Sequence, residues 1–353
     1  MTHPSNPPKQ PDPPQFTAHC LWFTVEVQTP IELPAWPGSA LRGALLNALR
    51  RHYCPAPDDP DPGHSQRCPV CWLMAREDPN WRWGRKPARA YTIDLEPVEH
   101  AMPRRYEPGE RFAFGITLFG HAINLLPYLI LAVPEMGRMG VGRPLAENKG
   151  RRGTFTLHKV EARHPFTDER QTVLASDAMT VHTPTLAITE QDIRQRSAAL
   201  LEKLGANGRL RVTFLTPTRL IHQRRLVKVP HFRPLFGRSL DRIEALATLY
   251  GETASRVPGM DPVDDVRGWL RMAEDVRLVD YQVQWVDIKS GSRRTGRVTP
   301  VGGFVGWAEY EAADWAPFLP VLLWAQVVHV GKDAVKGNGE IVVSGQWSVN
   351  SGQ

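Results

Sequence analysis

Cys68 and Cys71 stand two residues apart across Pro-Val, a spacing that lets two thiolates reach one tetrahedral ion. Cys54 lies upstream, and the Pro/Asp/Gly-rich stretch between it and Cys68 carries His64. Cys54, His64, Cys68 and Cys71 therefore form a candidate zinc set. Such a set is closed and structural, because four protein ligands leave no position for a substrate. His52 is the competing nitrogen ligand, but it should still be on the preceding helix, whereas the insert can fold His64 back. A decayed site or plain thiols are the other readings. Cys20, inside an extended apolar run, reads as core.

A second group of residues suits phosphate. Gly137, Gly140, Gly142, Gly150 and Gly153 punctuate one stretch that carries Arg138, Arg143, Lys149, Arg151 and Arg152; Gly331, Gly337 and Gly339 punctuate another, with Lys332 and Lys336. Glycine reaches positive φ and lets backbone approach a ligand, and free amides beside a helix cradle anions. The same glycines would also serve a tight helix-to-strand turn. The stretch His222–Pro234 adds Arg224, Arg225 and Lys228, and Lys289–Arg297 adds Arg293, Arg294 and Arg297. Both are dense in cations and flanked by turn residues. Trp81–Tyr91 interleaves arginine with aromatic residues, a mix that stacks on unpaired bases, although a surface strand would look the same. Two histidines adjoin these groups: His52, bracketed by Arg50, Arg51 and Tyr53, and His329, just before the second glycine stretch.

The elements that must position these residues occur twice. An extended run containing Thr-Pro, Cys20–Leu33, returns as Leu210–Leu220. Each copy precedes an amphipathic helix, Gly38–Tyr53 and Gly237–Tyr250, and later an apolar helix opening on Leu-Pro, Leu126–Met136 and Leu319–Val330. Strands are expected at Trp22–Val27, Arg111–Leu118 and Thr154–Val160. The order becomes β-α-β-β-α-β if the poorly patterned stretch Tyr91–Leu95 supplies the missing strand. That is a ferredoxin-like unit, and in the second copy Tyr281–Ile288, Gly302–Tyr310 and Glu340–Val343 take the corresponding places. The expected fold is α+β: a disordered tail over 1–15, a ferredoxin-like domain over 16–162 with a cysteine-containing insertion at 54–71, a linker with a helix (Glu190–Leu204) over 163–208, and a second ferredoxin-like domain over 209–346.

Composition bounds the function. The 353 residues, 42% hydrophobic, suffice for two cores. No apolar run reaches the roughly 18–20 residues of a membrane span, and residues 1–15 have no signal-peptide h-region. Four cysteines without a secretory signal point to a reducing, cytoplasmic setting. The net charge is +6, and only nine of 43 basic residues are lysine. Arginine's planar fork suits phosphate and stacks on bases, so nucleic acid is the favoured partner, with an arginine-rich proteome as the competing explanation. No clustered carboxylates suggest a two-metal nuclease.

With the repeat and the glycine stretches in view, the chain resembles the RAMP superfamily of CRISPR-associated RNA-binding proteins, and within it the repeat-processing endoribonuclease, the Cas-six family. The resemblance rests on LRGALLNALRRHYCP, YEPGERFAFGITLFGHA, LLPYLILAVPEMGRMGVGR, VTFLTPTRL, GGFVGWAEY and HVGKDAVKGNGEIVV, in family order over roughly residues 20–345. Lys336 stands where the family form has an aromatic before the penultimate glycine. The resemblance implies two RAMP domains side by side on CRISPR repeat RNA. It also implies metal-independent cleavage, in which the 2′-hydroxyl attacks its own 3′-phosphate to leave a 2′,3′-cyclic phosphate and a 5′-hydroxyl. The family commonly carries its catalytic histidine on or just beyond the first helix, which favours His52, with Arg51 and Tyr53 beside it; His329 is the alternative base. The partners implied are repeat RNA and other CRISPR effector subunits, with no catalytic cofactor and a structural zinc. A non-catalytic RAMP subunit that retains guide RNA in an effector complex is the alternative.

Overall fold

The computed structural model describes residues 16–59, 61, 63–78, 80–81, 86–96, 102–176, 178, 180–204, 208–251, 266–291 and 298–346. The N-terminal unit opens on β1 (Ala18–Val27), whose alternation buries Leu21, Phe23, Val25 and Val27 on one face. α1 (Gly38–Tyr53) presents Leu41, Leu45, Ala48 and Leu49 to the interior, at the three-and-four spacing of an amphipathic helix. α2 (Pro69–Ala75) starts on a proline, which is tolerated in a first turn. Then come β2 (Tyr91–Leu95), β3 (Arg111–Phe119), α3 (Leu126–Met139), β4 (Phe155–Arg163) and β5 (Arg170–Leu174). The sheet runs β2-β3-β1-β4-β5, with every neighbour antiparallel. Without β5 this is the split βαβ order of a ferredoxin-like unit, and Tyr91–Leu95 is indeed its second strand.

α4 (Glu190–Leu204) leads into the second unit. Its first turn is closed by Thr189 and Asp192: the Asp192 carboxylate accepts the Thr189 N–H at 2.7 Å and the Thr189 hydroxyl accepts the Asp192 N–H at 3.4 Å, a capping box with aspartate in the glutamate role. The unit comprises β6 (Arg209–Thr218), α5 (Phe232–Tyr250), β7 (Arg277–Val286), β8 (Gly303–Glu311), α6 (Leu319–Val328) and β9 (Ile341–Gln346). The order β7-β8-β6-β9, again antiparallel, repeats the first sheet's plan. The chain is thus α+β with tandem ferredoxin-like folds. Among the described residues no helix is long and apolar enough to cross a membrane.

Two elements depart from the expectation. α5 begins at Phe232 rather than Gly237, because Pro234 fits a first turn and Phe232 and Phe236 bury themselves against Phe318 with ring centroids 5.2 Å apart in each case. The stretch expected as a linker also supplies β5, which extends the first sheet beside β4.

The two units meet closely. Phe16 packs on Trp324 at 5.0 Å between centroids; the Tyr250 hydroxyl donates to the Ala88 carbonyl at 2.5 Å, and its ring lies edge-on to Trp72. A Cβ added at Gly38, the first residue of α1, would lie 1.8 Å from the Lys336 carbonyl oxygen. The start of α1 therefore rests on the backbone of the second glycine stretch, an approach only glycine permits.

Candidate nucleic-acid interface

His52 lies in the last turn of α1, exposed, with its Nε2 3.4 Å from a carboxylate oxygen of Glu135 on α3. Glu135 is also the ion-pair partner of Arg138 one turn later. Tyr53 stacks obliquely on His52, with ring centroids 6.1 Å apart, and meets Tyr128 of α3 edge-on at 6.1 Å. Arg51 is exposed beside them. The packing of α1 on α3 thus brings an imidazole, an orienting carboxylate, a phenol and two arginines to one surface. A carboxylate on one imidazole nitrogen fixes the ring and leaves the other nitrogen free for proton transfer. Glu135 and Tyr128 were not singled out from the sequence; only the shared helix-to-helix seam reveals them.

His329 has a different setting. It ends α6 at φ +62° and ψ 165°, a region nearly reserved for glycine, and it is 1% exposed. Its Nε2 lies 3.0 Å from Asp94 on β2 of the first unit, and Nδ1 lies 3.3 Å from the Asn338 carbonyl oxygen. Asp94 also accepts from the hydroxyls of Thr117 at 2.6 Å and Thr92 at 3.3 Å. The strained backbone is held by this buried polar network across the two units. His329→Ala is expected to lower unfolding free energy by about 3 kcal/mol, since it strands a buried carboxylate. Urea titration checks this, and a loss below about 1 kcal/mol would show that the pair holds little.

The first glycine stretch is a hairpin rather than an open loop. Val141–Leu145 pairs with Arg151–Gly153. Cβ atoms at Gly137, Gly142 and Gly153 would lie 2.2, 2.3 and 2.1 Å from the carbonyl oxygens of Phe155, Glu32 and Pro30, so these glycines serve close backbone packing. Gly140 takes φ +81° at the end of α3. Arg152 donates to the Gly142 carbonyl, and Arg143 pairs with Glu32 at 2.6 Å. The tip is different: Lys149 (φ +56°), Gly150, which has open space around it, and Arg151 are exposed.

The second glycine stretch faces inward. A Cβ at Gly331 would lie 2.5 Å from the Arg219 carbonyl oxygen, at Gly337 3.1 Å from Leu95, and at Gly339 1.9 Å from the Val330 carbonyl oxygen. Lys336 pairs with Asp333 at 2.8 Å, which leaves Lys332 as the exposed cation here. Arg224, Arg225 and Lys228 are exposed on and beyond a hairpin whose turn, Gln223-Arg224, has φ +48° and +64°. Behind it His222, Arg233, Arg238 and Asp241 line a cleft of about 210 Å³. Burial, then Arg233 and Arg238, lowers the pKa of His222, which shares this cleft with the two guanidinium groups. Arg293, Arg294 and Arg297 lie outside the described residues.

The cysteine cluster closes as expected. Cys54 Sγ lies 3.3 Å from His64 Nε2, 3.7 Å from Cys71 Sγ and 3.8 Å from Cys68 Sγ, and the ligand atoms of all four residues fall within 4.8 Å of one another. A tetrahedral ion with Zn–S near 2.3 Å requires sulfur atoms about 3.8 Å apart, so the set fits. His64 Nδ1 faces Asp59 at 3.5 Å, the outer carboxylate usual for a metal-bound histidine. His52, turned to Glu135, is not part of the group.

The C-terminal part of the chain, residues 212–341, matches the family model of CRISPR-associated endoribonuclease Cas6, and residues 16–186 match a model described only as an N-terminal domain. No curated protein matches. Among solved structures, a Thermus thermophilus Cas6 is similar at TM-score 0.50 and 14% identity, over 93% of this chain and 98% of its own. The product complex of the same Cas6 gives TM-score 0.52 and 13% identity over 93% and 99%. A partial Cas6-RT-Cas1 complex with Cas2 gives TM-score 0.56 and 13% identity, over 95% of this chain and 47% of that one. At these identities the likeness is one of fold. The endoribonuclease model on the second unit and a Cas6-like tandem fold over nearly the whole length are together consistent with a CRISPR repeat-processing protein of the Cas6 family.

Proposed function

We propose that this protein binds CRISPR repeat RNA and cleaves it without a catalytic metal, with His52 as general base. The observation that carries the reading is the exposed His52 braced by Glu135 beside Arg51, Tyr53 and Arg138. His52 removes the proton of a ribose 2′-hydroxyl, and that oxygen bonds to the adjacent phosphorus. The bond from phosphorus to the 5′-oxygen breaks, leaving a 2′,3′-cyclic phosphate. The leaving oxygen takes a proton and becomes a 5′-hydroxyl, and the Tyr53 phenol beside His52 is the candidate acid. Arg51 and Arg138 supply positive charge to the phosphorane. Glu135 positions His52 and does not touch the RNA.

Incubation of the purified protein with its cognate repeat in EDTA tests this, alongside the same RNA carrying a 2′-deoxyribose at the cut. Cleavage should persist in EDTA and stop with the 2′-deoxy substrate. Cleavage of the 2′-deoxy substrate would overturn the mechanism, and tight binding with no cleavage of either RNA would favour the subunit that only retains guide RNA.

The footprint runs over the exposed cations. Lys149, Arg151, Arg224, Arg225, Lys228 and Lys332 contact phosphate, while Arg143 and Lys336 are taken up by the carboxylates of Glu32 and Asp333 and Arg152 by the Gly142 carbonyl. Replacing Lys149 and Arg151 by Ala is expected to weaken RNA binding and flatten its salt dependence by about 0.7 in logarithmic slope per lost contact. An unchanged slope would remove the hairpin tip from the footprint. Cys54, His64, Cys68 and Cys71 would hold a structural zinc, whose contribution is to tie the end of α1 to the insertion. Other CRISPR proteins are the natural assembly partners, given the similar fold in the Cas6-RT-Cas1 complex with Cas2.

A further inference from the structure

At the opposite end of α1 from His52, a pocket opens between the two units. Trp36, on the turn into the helix, Leu41 of α1 and Tyr106 of the short strand Arg104–Tyr106 form apolar and aromatic walls. Arg104 stands at the side, its guanidinium 3.4 Å from the Tyr106 hydroxyl. Thr216 of β6 and Glu340, the residue before β9, line it from the second unit. The pocket has about 560 Å³ of non-atom space out to open solvent, and about 40 Å³ of it can be occupied by the centre of a water-sized sphere. Since a water needs some 10–15 Å³ on that second measure, the pocket has room for about three waters, the size of a base edge rather than of a whole nucleotide.

The polar groups have a defined pattern. The Thr216 hydroxyl oxygen accepts the Glu340 N–H at 2.9 Å, and among the described residues its own proton has no protein acceptor. The Leu95 N–H favours the charged form of the Glu340 carboxylate, and among the described residues no side chain donates to it, which leaves acceptor sites open on its two oxygens. Burial pushes this carboxyl up to about 7, with Asp94 adding to the rise and His329 opposing it. Such a group gains from a ligand that brings hydrogen-bond donors. One hydroxyl donor beside a two-oxygen acceptor complements an edge with one acceptor and two adjacent donors. Among the four RNA bases only the Watson–Crick edge of guanine, with O6, N1–H and N2–H, offers that order.

We propose that this pocket takes one unstacked guanine of the bound RNA, with N1–H and N2–H on Glu340, O6 on the Thr216 hydroxyl and the ring against Trp36. The proposal rests on the reading of the chain as a repeat-RNA binder. α1 rises about 1.5 Å per residue, so the pocket lies roughly 20 Å from His52 and reads a base several nucleotides from the cut. Single-stranded RNA is read in this way, by splayed bases stacked on aromatic side chains and bonded along their edges.

The test is fluorescence anisotropy of the full chain with short labelled oligouridines carrying one central guanine, inosine or adenine, or uridine alone. The guanine oligomer should bind about tenfold or more tighter than the inosine one, which lacks N2–H, and than the adenine one, as expected for a bidentate base contact. Glu340→Gln should erase the difference while leaving the all-uridine affinity unchanged, and Trp36→Ala should weaken the guanine oligomer selectively. Equal binding of all oligomers by the wild type, or a guanine preference that survives both substitutions, would overturn the pocket while the RNA-binding reading stands. Failure of every oligomer and of the repeat RNA to bind would remove that reading, and the pocket with it.

Discussion

Single-turnover cleavage of repeat RNA by the His52→Ala protein is expected to fall by on the order of 10²-fold or more, the usual consequence of deleting a general base. RNA affinity should stay near the wild-type value, because His52 meets the RNA only at the reacting ribose. Zinc content should also be unchanged, because the nitrogen ligand of the cysteine cluster is His64. Glu135→Gln should give a smaller loss in the cleavage step. It keeps the shape of the brace but weakens its hold on the imidazole and releases Arg138. The effect of Glu135→Gln should disappear in the His52→Ala background, since a positioning residue has nothing left to position; additive losses would show that Glu135 acts independently. Cleavage that survives in His52→Ala at the wild-type rate would sink the assignment. His329→Ala is the needed contrast. His329 is sealed between the units on Asp94, so its loss should appear first in stability, and any slowing should be restored when the folded fraction is held constant.

Much of the scaffold was legible because it rests on local pattern. α1 and α4 have the ends read from their spacing, and the Leu-Pro openings at Leu126 and Leu319 mark the apolar helices. β2 is the least legible strand even though Tyr91, Ile93 and Leu95 alternate with Thr92 and Asp94, because its polar residues are buried with the rest and mark no solvated face. It sits at the sheet edge, where its outer flank meets the glycine stretch of the second unit, so both of its faces and one edge are covered. Sequence singled out His52 and the cations but not Glu135, Tyr128 or Asp94, because each acquires its role from an element distant in the chain. The glycine stretches were read as equivalent by position, yet one ends in an exposed cationic tip and the other is pressed against Leu95 and Gly38. That difference arises from how the two units dock, which a repeat within one chain does not encode locally.

Protein prepared without chelator is expected to carry about one zinc per chain, and Cys68→Ser, Cys71→Ser or His64→Ala should abolish it. In the metal-free cluster three thiols crowd together, and burial, followed by the neighbouring Cys54 and Cys68, pushes the Cys71 thiol up to about 12. Only a cation stabilises the thiolates that a metal site requires, so loading releases protons and the affinity falls as pH drops. A ligand held at about 1,000 times its dissociation constant stabilises the folded state by about 4 kcal/mol. For a unit of this size each kcal/mol moves the melting temperature by about 2–4 °C, so removing the metal should cost on the order of 10 °C. Cys54 is also the residue that ends α1, two positions after His52, so the cluster anchors the turn that carries the proposed base. Cys71→Ser should therefore slow cleavage as well, but less than His52→Ala, because the imidazole remains and only its support is loosened. Brief EDTA treatment should leave cleavage intact while the closed site retains its ion, and metal analysis of the same sample checks that retention. A zinc content near zero in the wild type, with a melting temperature indifferent to Cys71→Ser, would show that the four residues pack as plain side chains and that α1 is held by its apolar face alone.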